Sequence, residues 1–276
     1  MTGFPLTWLY VPGDRPAVVA KALTSGADVV VIDLEDAVAP DRKAYARSAT
    51  AELLRDPQPV PVHVRVNAVS GPWARDDLAV LLPSPGLSGL RLPKVSSPSD
   101  VVRVARRAAA VRGEVPPLYA LLETALGIER AHGVATAHPS LRGVALGEAD
   151  LRADLGVRDD AGLDWCRSRV VVAARAAGLD PPAQSAHPDI RDLAGLRASC
   201  VRGRALGFLG RAAIHPRQLP VIERACLPTE EEIEQAGTVL KAAAAQQGAQ
   251  ALADGTFIDA AVVTAARRTL ALARRT

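Results

Sequence analysis

VVVIDLED, residues 29–36, decides the fold: an apolar run of strand length that ends abruptly in Asp33, Glu35 and Asp36. A run apolar on both faces, without period-2 alternation, reads as a strand buried in a parallel sheet, and acids at its end then sit at the rim. The phrase recurs as LTWLYVP (6–12), VPVHVRVN (60–67), GLSGLRLPK (86–94), PLYALLET (117–124), LRGVALGEAD (141–150), PPAQSAH (181–187) and GRAAIHP (210–216). With the opening run, that makes eight expected strands.

Between them lie segments of helical character, 16–25, 40–54, 97–111, 163–177 and 193–206: the first three open on Pro or Ser, the second ends at Asp56-Pro57, and the others close at Gly26, Gly113, Gly178 and Gly207. Steady alternation of strand and helix implies parallel strands with right-handed crossovers. Eight such units close most naturally into an α/β fold of the (β/α)₈ TIM-barrel type over residues 1–226. Residues 227–276 add two more expected helices, 229–247 and 259–274, with Asp254-Gly255 between them. Having no strand to cover, this C-terminal extension reads as a packing appendage, a lid or a subunit contact.

Hydrophobic residues make up 49% of the 276 but aromatics only 3%, so the core is built from Val, Leu, Ile and Ala, which suits barrel layers. The formal charge is +3, with 33 bases and 30 acids interspersed rather than blocked, and aromatic residues occur singly. That pattern excludes a nucleic-acid surface, which needs clustered bases and stacking partners, while a phosphate-bearing ligand remains compatible. Cys166, Cys200 and Cys226 lie far apart in no metal-ligand spacing, and their odd number makes no disulfide framework, so a reducing cytoplasm is expected. No export signal and no apolar run approaching a membrane span is present, so no membrane partner is expected.

In a parallel barrel the carboxyl ends of the strands carry the chemistry, and here they supply Glu35, Asp36, Arg65, Asn67, Lys94, Glu123, Glu148, Asp150 and His215. Carboxylates brought together from different strands repel, and a cation is the simplest way to hold them. Glu123 and Asp150 end adjacent expected strands. With no histidine pair and few thiols, oxygen ligands favour Mg²⁺ or Mn²⁺ over Zn²⁺.

The motifs YVPGDRP (10–16), KALTSGAD (21–28), VIDLEDAV (31–38), RVN (65–67), LPK (92–94), LLETALG (121–127), GEADL (147–151) and ALGFLGRAAIHPRQL (205–219), in this order, resemble the citrate lyase β-subunit-like proteins of the aldolase/citrate lyase family. The resemblance implies a modified barrel, usually trimeric, that binds Mg²⁺ and makes or breaks a carbon–carbon bond beside a coenzyme A thioester. It matches Glu123 and Asp150 to metal ligands, Arg65 to the clamp on a substrate carboxylate, and Glu35 and Asp36 to an acidic pair near the metal. Arg15 matches the coenzyme-facing segment, with Lys21, Lys43 and Arg47 as weaker candidates there. Asp259, in a D-G-x-x-x-D phrase spanning 254–259, matches a proton-transfer residue that would act across a trimer interface, although its place before a helix also suits an N-cap.

One departure stands out: where the family has A-x-D on its seventh strand, this chain has Ala183-Gln184-Ser185, so Gln184 or Ser185 replaces the aspartate. His215 matches the family's IHP and is expected to support the eighth strand by hydrogen bonding. The function implied is a carbon–carbon lyase or Claisen-condensing enzyme acting on an acyl-CoA and a small oxo-acid, of the citryl-CoA or malyl-CoA type. The alternatives are the β subunit of a multi-subunit citrate lyase with a carrier-bound acyl group, a malate-synthase-like enzyme, and a non-catalytic barrel.

Overall fold

All five residues of the strand Val29–Asp33 are buried, because helices cover one face of its sheet and the other face lines the interior. The computed structural model describes residues 4–245, 250–251 and 257–274. Seven parallel strands form one sheet: β1 (Thr7–Pro12), β2 (Val29–Asp33), β3 (Val62–Arg65), β4 (Leu87–Leu92), β5 (Leu118–Leu122), β6 (Leu141–Leu146) and β7 (Arg211–Ala213). Their order is β6-β5-β4-β3-β2-β1-β7, so from β1 to β6 each crossover leads to the adjacent strand and the direction never reverses. The sheet is curled: Arg91 on β4 reaches over the Trp8 and Tyr10 rings of β1.

The expected strand over 181–187 is not one. It is reduced to a single parallel bridge between Gln184 and Arg211, made by Gln184 N–H to the Gly210 carbonyl at 3.1 Å and Ala212 N–H to the Gln184 carbonyl at 2.9 Å. Pro181, Pro182 and Pro188 flank it, and proline cannot donate to a ladder. On its other side the Ser185 hydroxyl donates to the Leu146 carbonyl and accepts Glu148 N–H, so a side chain replaces the missing ladder beside β6.

Register places one polar layer across the concave face: Asp33, Arg65, Arg91 and Tyr119 are successive partners on β2 to β5. Below it, His63 is partnered by Gly89. A Cβ on Gly89 would lie 2.9 Å from the His63 ring, so glycine makes room for His63 to stack on Tyr119 with centroids 4.7 Å apart.

The helices follow their expected ends closely. Pro98–Arg112 starts from a capping box in which Ser97 and Asp100 satisfy each other's backbone N–H groups, and it stops at Gly113 with φ 78°. The expected helix over 40–54 divides into a 3₁₀ turn, Pro40–Arg42, and the helix Lys43–Leu53. Among the described residues no helix is long and apolar enough to cross a membrane.

The chain divides into two compact units, Pro5–Glu223 and a second made of Phe4 with the described residues from Arg224 onward. In the second, helices Glu230–Ala245 and Ala260–Ala273 pack through Ala236, Val239, Ile258 and Ala266. Asp254 and Gly255 lie outside the described residues.

Candidate active site

Arg65 ends β3, and Asp33 ends β2 beside it. The Arg65 Nε and Nη2 groups donate to Asp33 Oδ1 and Oδ2 at 2.7 and 2.6 Å, a bidentate fork that fixes the guanidinium plane. Asp33 is in turn held by the Glu35 and Ala37 N–H groups. Arg65 Nη1 faces the acids that follow β2, at 2.9 Å from Glu35 Oε2 and 3.3 Å from Asp36 Oδ2. Asp33 therefore orients the expected clamp, a role the sequence reading missed. The signal was present as a period of two: Val29, Val31 and Asp33 share the interior face.

Lys94 joins the remaining acids. It follows β4 with φ 54°, the only non-glycine residue at positive φ among those described, a conformation that costs energy and concentrates at functional sites. In that conformation its N–H donates to Glu123 Oε1 at 2.6 Å, while its ammonium lies 3.0 Å from Glu35, 3.6 Å from Asp36 and 4.0 Å from Asp150. Glu123 directly follows β5 and is buried. Asp150 does not end β6 as expected. It lies in the first turn of helix Glu148–Leu155, half exposed.

These carboxylates are under-compensated. Burial, reinforced by the Glu35 charge, pushes the Glu123 carboxyl up to about 8. Burial pushes Glu35 up to about 7, with Asp36 adding to the rise and Arg65 opposing it. Although Glu35 lies within ion-pair distance of two cations, neither of its oxygens is aligned with a donor as a hydrogen bond. Among the described residues no three acids, histidines or cysteines already converge as a cage. An oxygen-only set with two neighbouring carboxylates nevertheless fits a hard divalent cation that keeps part of its water shell.

Other expected residues have different tasks. Lys43 is buried and donates to the Leu34 and Glu35 carbonyls at 2.7 and 2.6 Å, and Arg47 pairs with buried Asp77 at 2.8 Å, so both hold the framework. Asp77 also accepts from the Asn67 backbone and side chain. Arg15 and Lys21 are exposed and lie outside the cavity lining. His215 accepts Arg217 N–H and caps the turn Pro216–Gln218. Gln184 points away from the interior to the Ser199 carbonyl, which leaves Ser185 facing the rim. Glu148 is held bidentately by Arg167, itself paired with Asp160 and Asp164. In the second unit, Asp259 caps the last helix, with Oδ1 accepting from Ala261 and Val262 N–H at 2.9 Å.

A cavity of about 1090 Å³ opens at the carboxyl end of the sheet, lined by Tyr10, Asp36, Arg65, Arg91, Glu123 and Asp150 among others. Acids and an oriented arginine gathered at the carboxyl end of a parallel α/β sheet stand where enzymes of this architecture carry their active sites. The family is specific: residues 6–216 match the HpcH/HpaI aldolase/citrate lyase model, and the chain belongs to that family. It is 37% identical over 274 residues to a (3S)-malyl-CoA thioesterase of Cereibacter sphaeroides, covering 96% of this chain and 93% of that protein. An L-malyl-CoA/β-methylmalyl-CoA lyase of the same species is 31% identical over 280 residues, covering 91% and 86%. Among solved structures, protein CitE from Mycobacterium tuberculosis in complex with magnesium, acetoacetate and coenzyme A superposes with a TM-score of 0.84 at 33% identity, covering 98% of each chain.

Proposed function

We propose that this chain is a Mg²⁺-dependent carbon–carbon lyase or Claisen-condensing enzyme acting on an acyl-CoA thioester and a small oxo-acid, of the malyl-CoA or citryl-CoA type. The observation that carries the reading is the pairing of Glu123 and Asp150, both touching Lys94, with an Arg65 whose plane Asp33 has already set. The family and the coenzyme A and magnesium ligands of the related structure support it. In this reading the segment around Gln184 and Ser185 closes the curled sheet into an eight-unit barrel, and the protein works as a cytoplasmic homotrimer.

Glu123 and Asp150 would hold the cation, with Glu35 and Asp36 beside them. When bound, the ion supplies Lewis-acid polarisation of an oxo-acid oxygen. Arg65, pre-oriented by Asp33, presents Nη1 to the oxo-acid carboxylate. Arg15 and Lys21 face the coenzyme phosphates. Asp259 moves the proton at the carbon next to the thioester, through its Oδ2, which among the described residues takes no hydrogen bond. It does so in the site of a neighbouring subunit.

The test is to incubate the protein with Mg²⁺, acetyl-CoA and glyoxylate, pyruvate or oxaloacetate, following thioester loss and product mass. A condensed acyl-CoA, abolished by EDTA, is expected. Free coenzyme A from a preformed malyl-CoA, with no carbon–carbon cleavage, would instead assign a thioesterase. Arg65→Lys keeps the charge but loses the fork, so oxo-acid affinity should fall by about 1.5–3 kcal/mol. An unchanged KM and kcat in that variant would remove Arg65 from the clamp.

A further inference from the structure

Six arginines line the cavity, and four of them are neutralised by an acid: Arg65 by Asp33, Arg152 by Asp160, Arg167 by Glu148 and Arg202 by Asp164. A fifth, Arg211, turns to Ser199 on helix Leu193–Ala205. Among the described residues Arg91, like Arg211, has no carboxylate partner, but it meets neither helix Leu193–Ala205 nor its serine and lies instead among aromatic rings. It is 4% exposed. Its Nη1 reaches the Tyr10 hydroxyl at 3.4 Å, and its Nε has no acceptor. Around it are the ring faces of Trp8, Tyr10 and Tyr119, at 5.6, 5.8 and 5.2 Å from its central carbon. Nearby His63 is held well below its ordinary value by burial and then by the Arg91 charge, so its ring stays neutral beside the guanidinium.

A buried charge is costly unless it is paired, and aromatic faces return only part of that cost. A guanidinium with five N–H donors that lines the cavity and meets a single neutral acceptor describes a site made for an anion that arrives from outside. Arg91 is the register partner of Arg65, and both lie over the ring of Tyr10, Arg65 at 5.6 Å. Both guanidiniums thus line the cavity within reach of the same Tyr10 ring.

Resting on the function proposed above, we infer that Arg91 is a second carboxylate site: Arg65 takes the carboxylate adjoining the reactive carbonyl, and Arg91 takes the distal carboxylate of a 2-oxo dicarboxylate. Arg91 then determines whether the enzyme prefers a dicarboxylate oxo-acid to a monocarboxylate one. It acts by charge and fork geometry, with the Tyr10 hydroxyl fixing its orientation.

Calorimetric titration of the Mg²⁺-loaded protein with pyruvate and with freshly prepared oxaloacetate tests this directly. The wild type should bind oxaloacetate at least tenfold more tightly. Arg91→Gln should shrink the oxaloacetate-to-pyruvate affinity ratio by about 10- to 100-fold, the worth of a hydrogen-bonded charge. If Arg91→Gln does not fold, Arg91→Lys reads the same ratio, which should fall by about tenfold because the charge remains and the fork is gone. Equal affinities in the wild type, or a ratio that survives substitution, overturns the inference while leaving the enzyme's function standing. Failure of the wild type to bind either acid overturns the proposed function and this inference together.

Discussion

Glu123 and Glu35 carry the pH behaviour of the site. Each binds its proton more tightly in the folded chain, near 8 and 7, than at the ordinary 4.5. Stability drawn from the protonated forms is therefore complete below 4.5 and is lost as pH rises through 7 and 8. Without metal, the melting temperature should fall across that window. Glu123→Gln should flatten the upper part of the fall, and Mg²⁺ should reverse it by binding the ionised carboxylates. Melts in EDTA from pH 5 to 8 check this, and a melting temperature that climbs throughout would count against it. That acids gather at the strand ends was legible in the sequence; the burial of Glu35 and Glu123 was not. Nothing in LPK or LLET shows that Lys94 turns into a left-handed conformation to cap Glu123 with its own N–H.

Between β6 and helix Glu148–Leu155 stands Gly147, the junction on which the proposed metal pair, Glu123 and Asp150, depends. A Cβ there would collide with both the carboxylate and the Cβ of Glu123, since the two segments approach at the rim. Gly147→Ala should cost about 1–3 kcal/mol of stability, as overpacking does, and should weaken Mg²⁺ binding at least tenfold by displacing Glu123. Gly133→Ala is the control, because there only Pro98 Cγ comes near, at 3.4 Å. Mg²⁺ titration and thermal melts of both variants give the comparison, and normal binding by Gly147→Ala would show that Glu123 has room to shift. Strand and helix positions were legible from apolar runs and caps. The reduction of 181–187 to one bridge follows from its flanking prolines, which an apolar template alone ignores.

At the scale of the whole molecule, the question is what Asp259 does beyond capping its helix. Loss of a cap costs about 0.5–2 kcal/mol with catalysis spared, whereas loss of a base costs about 10²- to 10⁴-fold in rate. Asparagine still accepts at an N-cap, so Asp259→Asn should melt almost as the wild type does and lose nearly all turnover. Mixing Asp259→Asn with Glu123→Ala chains should restore part of the activity if one subunit completes another's site. Near wild-type turnover in Asp259→Asn would leave it a cap alone, and inactive mixed oligomers would confine its action to its own subunit.

The sequence by itself determined the parallel α/β architecture, because buried parallel strands must read as apolar runs and their carboxyl ends must collect the polar residues. It also determined the family, through motifs spread along most of the chain. Only the tertiary structure decided which polar residues meet. Asp33 takes the fork of Arg65, Lys43 and Arg47 serve the framework, Asp150 sits one helical turn beyond its strand, and Arg91 stands without an acid. Those outcomes depend on the strand register and curl that bring distant side chains within a few ångströms, and hydrophobic pattern specifies the strands without specifying the pairings across them.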